Sequence, residues 1–245
     1  MKNRDFITVS KQITNITKSL TLTKSLMVST LIVGEAHIGK KSLVHNLFPN
    51  SIYVDASDEA LLAKTLETNS EVVIYNFQNI KNIDRLDFAN KRIVAISDNL
   101  TIGELLEMKF AFIYTMPSLS HRSDDVALLV KHFIDSIKKE LDIDGEIELD
   151  ISKVDISNNI KSLKAYVYKQ VLLSSLSEED MDSILYDYLY EKIDGNNAYR
   201  EYLGLYEIPL IRAGLDRYKS QLKLSSILGL NRNTLRKKIH EYDIN

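Results

Sequence analysis

Short apolar runs alternate with stretches of helical spacing over roughly the first half of the chain. Apolar residues recur every three or four positions in Lys40–Leu47, a spacing that predicts a helix. Parallel strands that are covered on both faces are apolar along their whole length, so the pattern indicates a mostly parallel sheet with helices on both sides. The predicted strands are Thr30–Val33, Ser51–Val54, Glu71–Tyr75, Arg92–Ile96 and Phe110–Tyr114.

The strand pattern stops after Pro117, and the rest of the chain has helical spacing. The acidic stretch Glu140–Glu148 separates the two patterns and is predicted to be a loop. The sequence therefore predicts an α/β part followed by an all-α part. The predicted helices of the second part are Asp124–Lys139, Ile160–Ser174, Glu178–Ile193 and Tyr206–Tyr218.

Length and composition limit the class of protein. A chain of 245 residues, 44% of them hydrophobic, exceeds the usual size of one domain, so we expect two units. The absence of cysteine excludes disulfides and thiol catalysis. No apolar run is long enough to span a membrane, and Met1–Asp5 lacks the apolar stretch of a signal peptide. We expect a cytoplasmic protein without a membrane partner.

Charge is distributed unevenly along the chain. The net charge is −3, but residues 209–245 contain eight basic and three acidic residues, which makes this segment +5 and the preceding 208 residues −8. A basic module attached to an acidic body is typical of DNA-binding proteins, because neutralising phosphates supplies most of the sequence-independent affinity. A solvated basic face is the alternative interpretation of the charge alone.

The segment from Pro209 to Asn245 has the spacing of a helix-turn-helix. Leu224, Ile227 and Leu228 form one helical face, Gly229 supplies a tight turn, and Leu235 begins the apolar face of a second helix. Either Asn231 or Asn233 can cap that second helix. A helical hairpin whose basic residues only increase solubility is the competing interpretation.

The second helix would present its N-terminal end to double-stranded DNA. Side chains at this end of a recognition helix reach base edges, and basic side chains farther along contact phosphates. The predicted base-facing residues are Asn231, Arg232 and Asn233, and the predicted phosphate contacts are Thr234, Arg236, Lys237 and Lys238.

A glycine loop follows the first predicted strand. Four residues separate Gly34 from Gly39 and Lys40 follows, as in loops that hold phosphates at a helix N-terminus. Position 41 is Lys instead of the usual magnesium-binding hydroxyl residue, and Ser42 comes one residue late. The predicted nucleotide-binding residues are Gly34, Gly39, Lys40, Lys41 and Ser42, with ATP or ADP as the ligand. A turn that binds no ligand is the alternative.

Hydrolysis would require carboxylates at the end of a later strand to hold magnesium and orient water. The strand Val72–Tyr75 ends instead in Asn76-Phe77-Gln78, and Asp84 and Asp87 are predicted to be surface charges. From these residues we assign no catalytic or metal-binding residue, and we expect nucleotide binding without hydrolysis in a protein that is not an enzyme.

The segment Leu230–Tyr242 resembles the C-terminus of the Fis family, whose members share an Asn-Arg-x-Thr-Leu-Arg-Lys-Lys run. The resemblance implies a homodimeric DNA-binding protein in which Asn231 and Arg232 face bases. It also implies that Thr234, Arg236 and Lys237 lie near phosphates. Helices within Ile184–Leu215 would pair the two subunits.

The whole chain resembles sigma-54-dependent activators of the NtrC type, which carry the same module behind an AAA+ domain. The resemblance implies an AAA+-like α/β domain over residues 1–138, a helical lid-like region over 139–176, and a Fis-like dimerisation and helix-turn-helix domain over 177–245. The similar segments are Gly34–Lys40 (the Walker A loop), Ser51–Ser57, Arg92–Asn99 (the sensor I strand), Met116–Phe133 (the start of the lid) and Asn158–Leu163, where Lys161 stands for the sensor II arginine.

Several parts of that family's motor are missing. Between Asp55 and Val72 there is no room for the loop that contacts the sigma factor. Asn76 and Phe77 replace the acidic Walker B pair, and the arginine-finger segment is absent between Phe110 and Met116. These departures imply a shortened, degenerate AAA+ domain that has lost ATP hydrolysis and sigma-54 contact.

Three hypotheses follow. The first is a dimeric, sequence-specific DNA-binding transcriptional regulator, with RNA polymerase or another regulator as its protein partner. The second is an active AAA+ ATPase that activates transcription through an unrecognised acidic residue. The third is a protein-assembly platform in which the helix-turn-helix is residual.

Overall fold

The computed structural model describes residues 6–98 and 103–244. The chain divides into two compact units, Met1–Leu176 and Ser177–Asn245. Met1–Asp5, Asn99 at the end of the sensor I-like segment, and Asn245 lie outside the described residues.

A five-stranded parallel sheet forms the centre of the first unit. Its strand order is β2-β3-β4-β1-β5, so β1 lies between β4 and β5 and the carboxyl ends of all five strands share one edge. The predicted α/β class with a mostly parallel sheet is confirmed. The strands are β1 (Thr30–Gly34), β2 (Ile52–Asp55), β3 (Glu71–Tyr75), β4 (Arg92–Asp98) and β5 (Phe112–Thr115).

Helices cover both faces of this sheet. One apolar cluster joins α3 and α4 to the sheet, another joins α1 and α2 to the opposite face, and a third lies between α5 and α6. The helices are α1 (Lys11–Thr23), α2 (Lys40–Leu47), α3 (Glu59–Thr68), α4 (Glu104–Lys109), α5 (Ser123–Leu141) and α6 (Asn159–Ser175). Single 3₁₀ turns occur at Phe77–Asn79, Ile83–Arg85, Leu119–His121 and Ile151–Lys153.

Two of the connections between strands are short. Only α3 lies between β2 and β3, and α4 leads into β5 with two residues between them. Among the described residues, neither connection contains a further loop of the kind that the NtrC-type resemblance would place there.

Four helices make up the second unit. They are α7 (Glu178–Lys192), α8 (Ala198–Tyr218), α9 (Gln221–Ile227) and α10 (Arg232–Glu241). The last three surround an apolar core of Ile211, Leu224, Leu235 and Ile244. None of the helices that the structure describes is both long and apolar enough to span a membrane.

Candidate nucleotide site and nucleic-acid interface

The glycine loop connects β1 to α2, at the carboxyl edge of the sheet. Gly34 and Gly39 have φ angles of 148° and 101°, which L side chains rarely adopt. A Cβ atom on Gly34 would also lie 2.5 Å from the Met116 carbonyl oxygen. Both glycines are therefore required by the backbone path of the loop.

Four successive carbonyl groups of this loop accept hydrogen bonds from the protein. Within the described chain, the backbone N–H groups of Ala36, His37 and Ile38 have no protein acceptor. Unpaired N–H groups at the start of a helix are suitable donors for phosphate oxygens. Each of these carbonyl groups accepts from a different donor. The Lys40 ammonium donates to Glu35, the Asn159 side-chain amide to Ala36 (3.1 Å), the Ile160 backbone N–H to His37 (3.1 Å) and the Arg122 guanidinium to Ile38 (2.8 Å).

The Lys40 ammonium is buried inside the loop and fully engaged. It donates to the carbonyls of Gly34 (2.8 Å) and Glu35 and pairs with Asp98 Oδ1 at 2.7 Å. Burial lowers the pKa of Lys40, although the Asp98 carboxylate acts in the opposite direction. Asp98 ends β4, the neighbour of β1, and was not predicted as a site residue. A phosphate group would have to compete with Asp98 for the Lys40 ammonium.

Lys41, the next residue, points to a different part of the sheet edge. Its Nζ lies 4.6 Å from the centre of the Tyr75 ring at the end of β3. Asn76, which follows, donates to Asp55 Oδ2 at 2.6 Å. Ser42 is partly buried in the first turn of α2.

The two positions that usually supply magnesium ligands in a phosphate loop carry no carboxylate or hydroxyl group here. Mg²⁺ requires oxygen ligands in octahedral geometry. The position after the loop lysine instead carries the Lys41 ammonium, and β3 ends in the Tyr75 ring and the Asn76 amide. The described residues contain no group of three or more His, Asp or Glu side chains that could hold a metal ion.

A buried ion pair ties the loop to the N-terminal segment. Arg122 and Asp125 pair at 3.2 Å with almost no exposure, and Arg122 also donates to the Ile38 carbonyl. Asp125 accepts from the Thr8 hydroxyl and from the backbone N–H of Val9 (2.7 Å). Neither residue was predicted, although both lie in the Met116–Phe133 segment that resembles the start of the lid.

The N-terminus of α6 closes the other side of the loop. Asn159 donates to Glu35 Oε2 (2.9 Å) and to the Ala36 carbonyl, and its side-chain oxygen accepts from the Leu119 N–H. Lys161, the residue that the resemblance placed at the sensor II arginine, is exposed. Asn159 and Ile160 make the contacts to the loop instead.

In the second unit, α9 and α10 are two short helices joined by a turn. Gly229 supplies the turn with a φ of 63°. Asn231 caps α10 by accepting a hydrogen bond from the Asn233 N–H at 2.8 Å, so Asn231 is the capping residue of the two candidates. The fully buried Leu235 holds α10 against the core of the unit.

One side of α10 is exposed and mostly basic. Arg232, Asn233 and Thr234 are exposed in its first turn. An open depression along the helix is lined by Asn233, Arg236, Lys237, His240 and Glu241. His240 was not predicted, although it follows Asn233 by seven residues and Arg236 by four, a spacing that places all three on one helical face.

Lys238 faces the protein. Its ammonium bonds both Glu207 oxygens at 2.7 and 2.6 Å, and the Tyr242 hydroxyl donates to Glu207 at 2.7 Å. Burial raises the pKa of Glu207, but these hydrogen bonds outweigh it and leave the pKa below its ordinary value. Lys238 therefore ties α10 to α8, and its phosphate contact stays a prediction.

Sequence comparison relates half of the chain to known regulators. No protein-family model matches the chain. The transcriptional regulator NtrC of Rhizobium meliloti is 29% identical over 169 residues, which cover 53% of this chain and 35% of NtrC. NtrC of Azospirillum brasilense is 28% identical over 166 residues, 53% of this chain and 34% of that protein. The matched part is thus about a third of these relatives' length.

Structural comparison gives the fold of nearly the whole chain. NtrX from Brucella abortus in complex with ATP matches with a TM-score of 0.55 and 14% identity over 98% of this chain and 70% of NtrX. The same protein in complex with ADP matches with a TM-score of 0.54 and 13% identity, over 99% and 70%. The chain therefore has the fold of AAA+ proteins.

This likeness corrects one expectation from the sequence. We expected a protein that is not an enzyme, because the usual carboxylates are absent after β3. That expectation is contradicted, because the fold shared with NtrX is that of the AAA+ ATPases. The inference failed because it considered one strand end, whereas the Asp98 carboxylate reaches the loop lysine from β4. The chain combines an AAA+ fold with weak sequence similarity to NtrC regulators over half its length.

Proposed function

We propose that this chain is a homodimeric, sequence-specific DNA-binding transcriptional regulator whose AAA+ unit binds ATP or ADP. The exposed basic side of α10, held in one orientation by its cap and its core contacts, is the observation that carries the proposal. RNA polymerase or another regulator would be the protein partner of the DNA-bound dimer.

The packing of α10 supports a role in recognition. The Asn231 cap fixes where the helix begins, Leu235 fixes its buried side, and the Lys238–Glu207 pair fixes its far end. With these constraints the first turn can enter a major groove as a rigid element, which side-chain discrimination between bases requires. Solubility alone would not require a helix held at three points.

The residues of α10 divide between two expected roles. Arg232 in the first turn has the length and the donors for a base edge, whereas Lys237 is suited to a phosphate as a point charge. Arg232→Ala should lower affinity for the preferred site by about 1–3 kcal/mol and relax base preference. Lys237→Ala should weaken binding to all sequences alike and reduce the salt slope by about one.

Fluorescence anisotropy on a selected site and on a random duplex, over a range of salt, tests this division. Lys153→Ala is the matched control, because it removes one exposed charge from the first unit and should leave DNA binding unchanged. Equal losses on both duplexes for Arg232→Ala and Lys237→Ala would contradict the assigned roles.

Helix α7 supports the homodimer. None of its residues is buried, and Met181, Ile184, Leu185 and Tyr188 form an apolar stripe at the spacing of one helical face. Two copies that pair through such stripes bury apolar area on both sides of a two-fold axis. This axis would present two α10 helices to successive major grooves of an inverted repeat.

The loop from Gly34 to Lys40 supports nucleotide binding. Its N–H groups at Ala36–Ile38 are unpaired within the described residues, and the loop precedes α2, where the helix dipole favours negative charge. Titration with ATP and ADP by calorimetry tests the site. Lys40→Ala should abolish binding, and binding that survives this substitution would place the ligand elsewhere.

A second candidate is an ATP-hydrolysing activator. The fold favours it, together with the Asp98 carboxylate 2.7 Å from the Lys40 ammonium. Release of phosphate from ATP by the purified chain, lost in both Lys40→Ala and Asp98→Ala, would establish this activity. Release that survives both substitutions would point to a contaminating enzyme.

A further inference from the structure

Lys41 places a second positive charge beside the glycine loop. The Lys40 ammonium is buried and held by three partners, whereas the Lys41 side chain is exposed. The Lys41 Nζ lies over the face of the Tyr75 ring, 4.6 Å from the centre of the ring. A cation over an aromatic face is held more weakly than one that bonds a phosphate oxygen.

The surroundings keep this ammonium at the sheet edge. Lys41 is the second residue of α2, beside the loop, and Tyr75 ends β3 on the same edge. The Tyr75 ring stacks on Tyr53 at 5.4 Å, which stacks on His45 of α2 at 4.2 Å. The ring under the ammonium is therefore held by its stack on Tyr53, and the exposed lysine side chain is the part that can move.

The same position cannot supply an oxygen ligand to a divalent cation. A hydroxyl directly after the loop lysine is the usual magnesium ligand of phosphate loops. Here the side chain carries a positive charge, which repels a cation at that point. β3 adds the Tyr75 ring and the Asn76 amide, whose nitrogen is committed to Asp55 at 2.6 Å.

We propose that ATP or ADP binds at this loop without a divalent cation, and that the Lys41 ammonium leaves the Tyr75 ring to neutralise the phosphates. This inference rests on the nucleotide site proposed above and specifies the charge that completes it. Lys40 and Lys41 together supply two positive charges, the charge that one Mg²⁺ would provide.

The test is calorimetric titration of the full chain with ADP, in buffer with Mg²⁺ and in buffer with EDTA. The wild-type dissociation constants should agree within about threefold in the two buffers. Lys41→Thr should lose about tenfold in affinity in EDTA, because one charge-assisted phosphate contact is removed. Mg²⁺ should restore part of that loss, since threonine supplies a hydroxyl ligand.

Two further variants make the result specific. Lys41→Arg keeps the charge and should keep binding independent of Mg²⁺. Lys64→Thr makes the same replacement at an exposed lysine of α3 and should behave as the wild type in both buffers. Circular dichroism confirms that each variant is folded.

Each remaining outcome overturns the inference. Wild-type binding that falls tenfold or more in EDTA would show that a divalent cation is required, and the nucleotide site itself would stand. A Lys41→Thr variant that equals the wild type in EDTA would show that this ammonium is not used. Wild-type protein that binds in neither buffer would overturn both this inference and the proposed nucleotide site.

Discussion

At the scale of single residues, the side chains that shape the glycine loop come from distant parts of the sequence. Asp98 comes from β4, Arg122 from the turn before α5, and Asn159 from the start of α6. Asp98 pairs with the Lys40 ammonium, whereas Arg122 and Asn159 donate to carbonyl groups of the loop. They fix the loop, whose N–H groups at Ala36, His37 and Ile38 have no acceptor in the part of the protein that the structure describes.

Asp98→Asn should raise the affinity for ATP and ADP. The Asp98 carboxylate holds the Lys40 ammonium at 2.7 Å, and a neutral amide would compete less with a phosphate. Because Asp98 is 41% exposed, solvent weakens the pair, so the expected gain is about twofold to fivefold. Calorimetric titration measures it. Asp58→Asn, which keeps the cap of α3, is the control and should leave the affinity for ATP and ADP unchanged. A loss of affinity in Asp98→Asn would show that the Asp98 carboxylate assists binding.

The sequence predicts the loop itself but not these partners. Gly34, Gly39 and Lys40 are recognisable because their roles depend on local spacing. Asp98, Arg122 and Asn159 act over separations of 58 to 124 residues, and no local pattern distinguishes them from surface residues. Asp98 is also a polar residue at a strand end, where polar residues are common for reasons unrelated to a site.

At the scale of elements, the arrangement of α8, α9 and α10 depends on one close approach. A Cβ atom on Gly214 of α8 would overlap the Leu224 side chain of α9, which is fully buried. Glycine is otherwise unfavourable inside a helix. Its presence at this position is therefore explained by packing.

Gly214→Ala should destabilise the second unit by about 1–3 kcal/mol, because an added methyl group has no space in this core. Urea unfolding measures the change. Gly204→Ala on the same helix is the control: its Cβ atom would lie 3.3 Å from the flexible end of Ile208, and the higher helix propensity of alanine should make it neutral or stabilising. Equal stability of the two variants would contradict the packing described for Gly214.

The ion pair between α8 and α10 should make the second unit sensitive to acid. The Glu207 pKa lies below its ordinary value of 4.5 in the folded protein. A lowered carboxyl pKa contributes stability above the unfolded value, and this stability is lost as the pH falls through the folded value. Glu207→Gln should therefore destabilise α10 by about 1 kcal/mol at pH 7, and the difference from wild type should shrink below pH 4.5.

Hydrogen exchange of α10 peptides, compared between variant and wild type at each pH, measures this effect. Glu201→Gln changes an exposed glutamate of the same helix and is the control. A difference between Glu207→Gln and wild type that is the same at every pH would contradict the role of the Glu207 charge.

Element prediction failed at α1 and at the first two turns of α8. Helix α1 was not predicted, because β-branched threonines lower helix propensity. In the structure three of them, Thr14, Thr17 and Thr21, bond back to carbonyls of the preceding turn, and Ile13 and Leu20 are fully buried. Helix α8 begins at Ala198 instead of Tyr206 and contains Pro209, a residue that normally ends a helix.

At the scale of the whole molecule, the uneven distribution of charge and the exposed apolar stripe of α7 are both explained by the proposed function. In the proposed function, the charge of +5 on residues 209–245 would attract DNA, and pairing of two copies would give the symmetry that an inverted repeat requires. The α/β class and the two helices around Gly229 were predictable from periodicity and turn residues. The exposed stripe of α7 was not, because its residues have the composition of an ordinary helical core.

Ile184→Ser should convert the dimer to a monomer, because it places a hydroxyl in the centre of the α7 stripe. Sedimentation velocity measures the oligomeric state of each variant. Asp187→Ser introduces the same residue outside the stripe and should stay dimeric. A wild-type protein that is monomeric at all accessible concentrations, or an Ile184→Ser variant that stays dimeric, would contradict pairing through α7.

Sequence-specific DNA binding is the central claim, and selection of bound fragments from sheared host genomic DNA tests it most directly. At about 150 mM salt, weak contacts to phosphates alone are suppressed. Sequencing of the fragments should recover a shared inverted repeat upstream of genes, and the enrichment should disappear with Arg232→Ala. Uniform recovery of the genome, or no recovery at all, would contradict the claim.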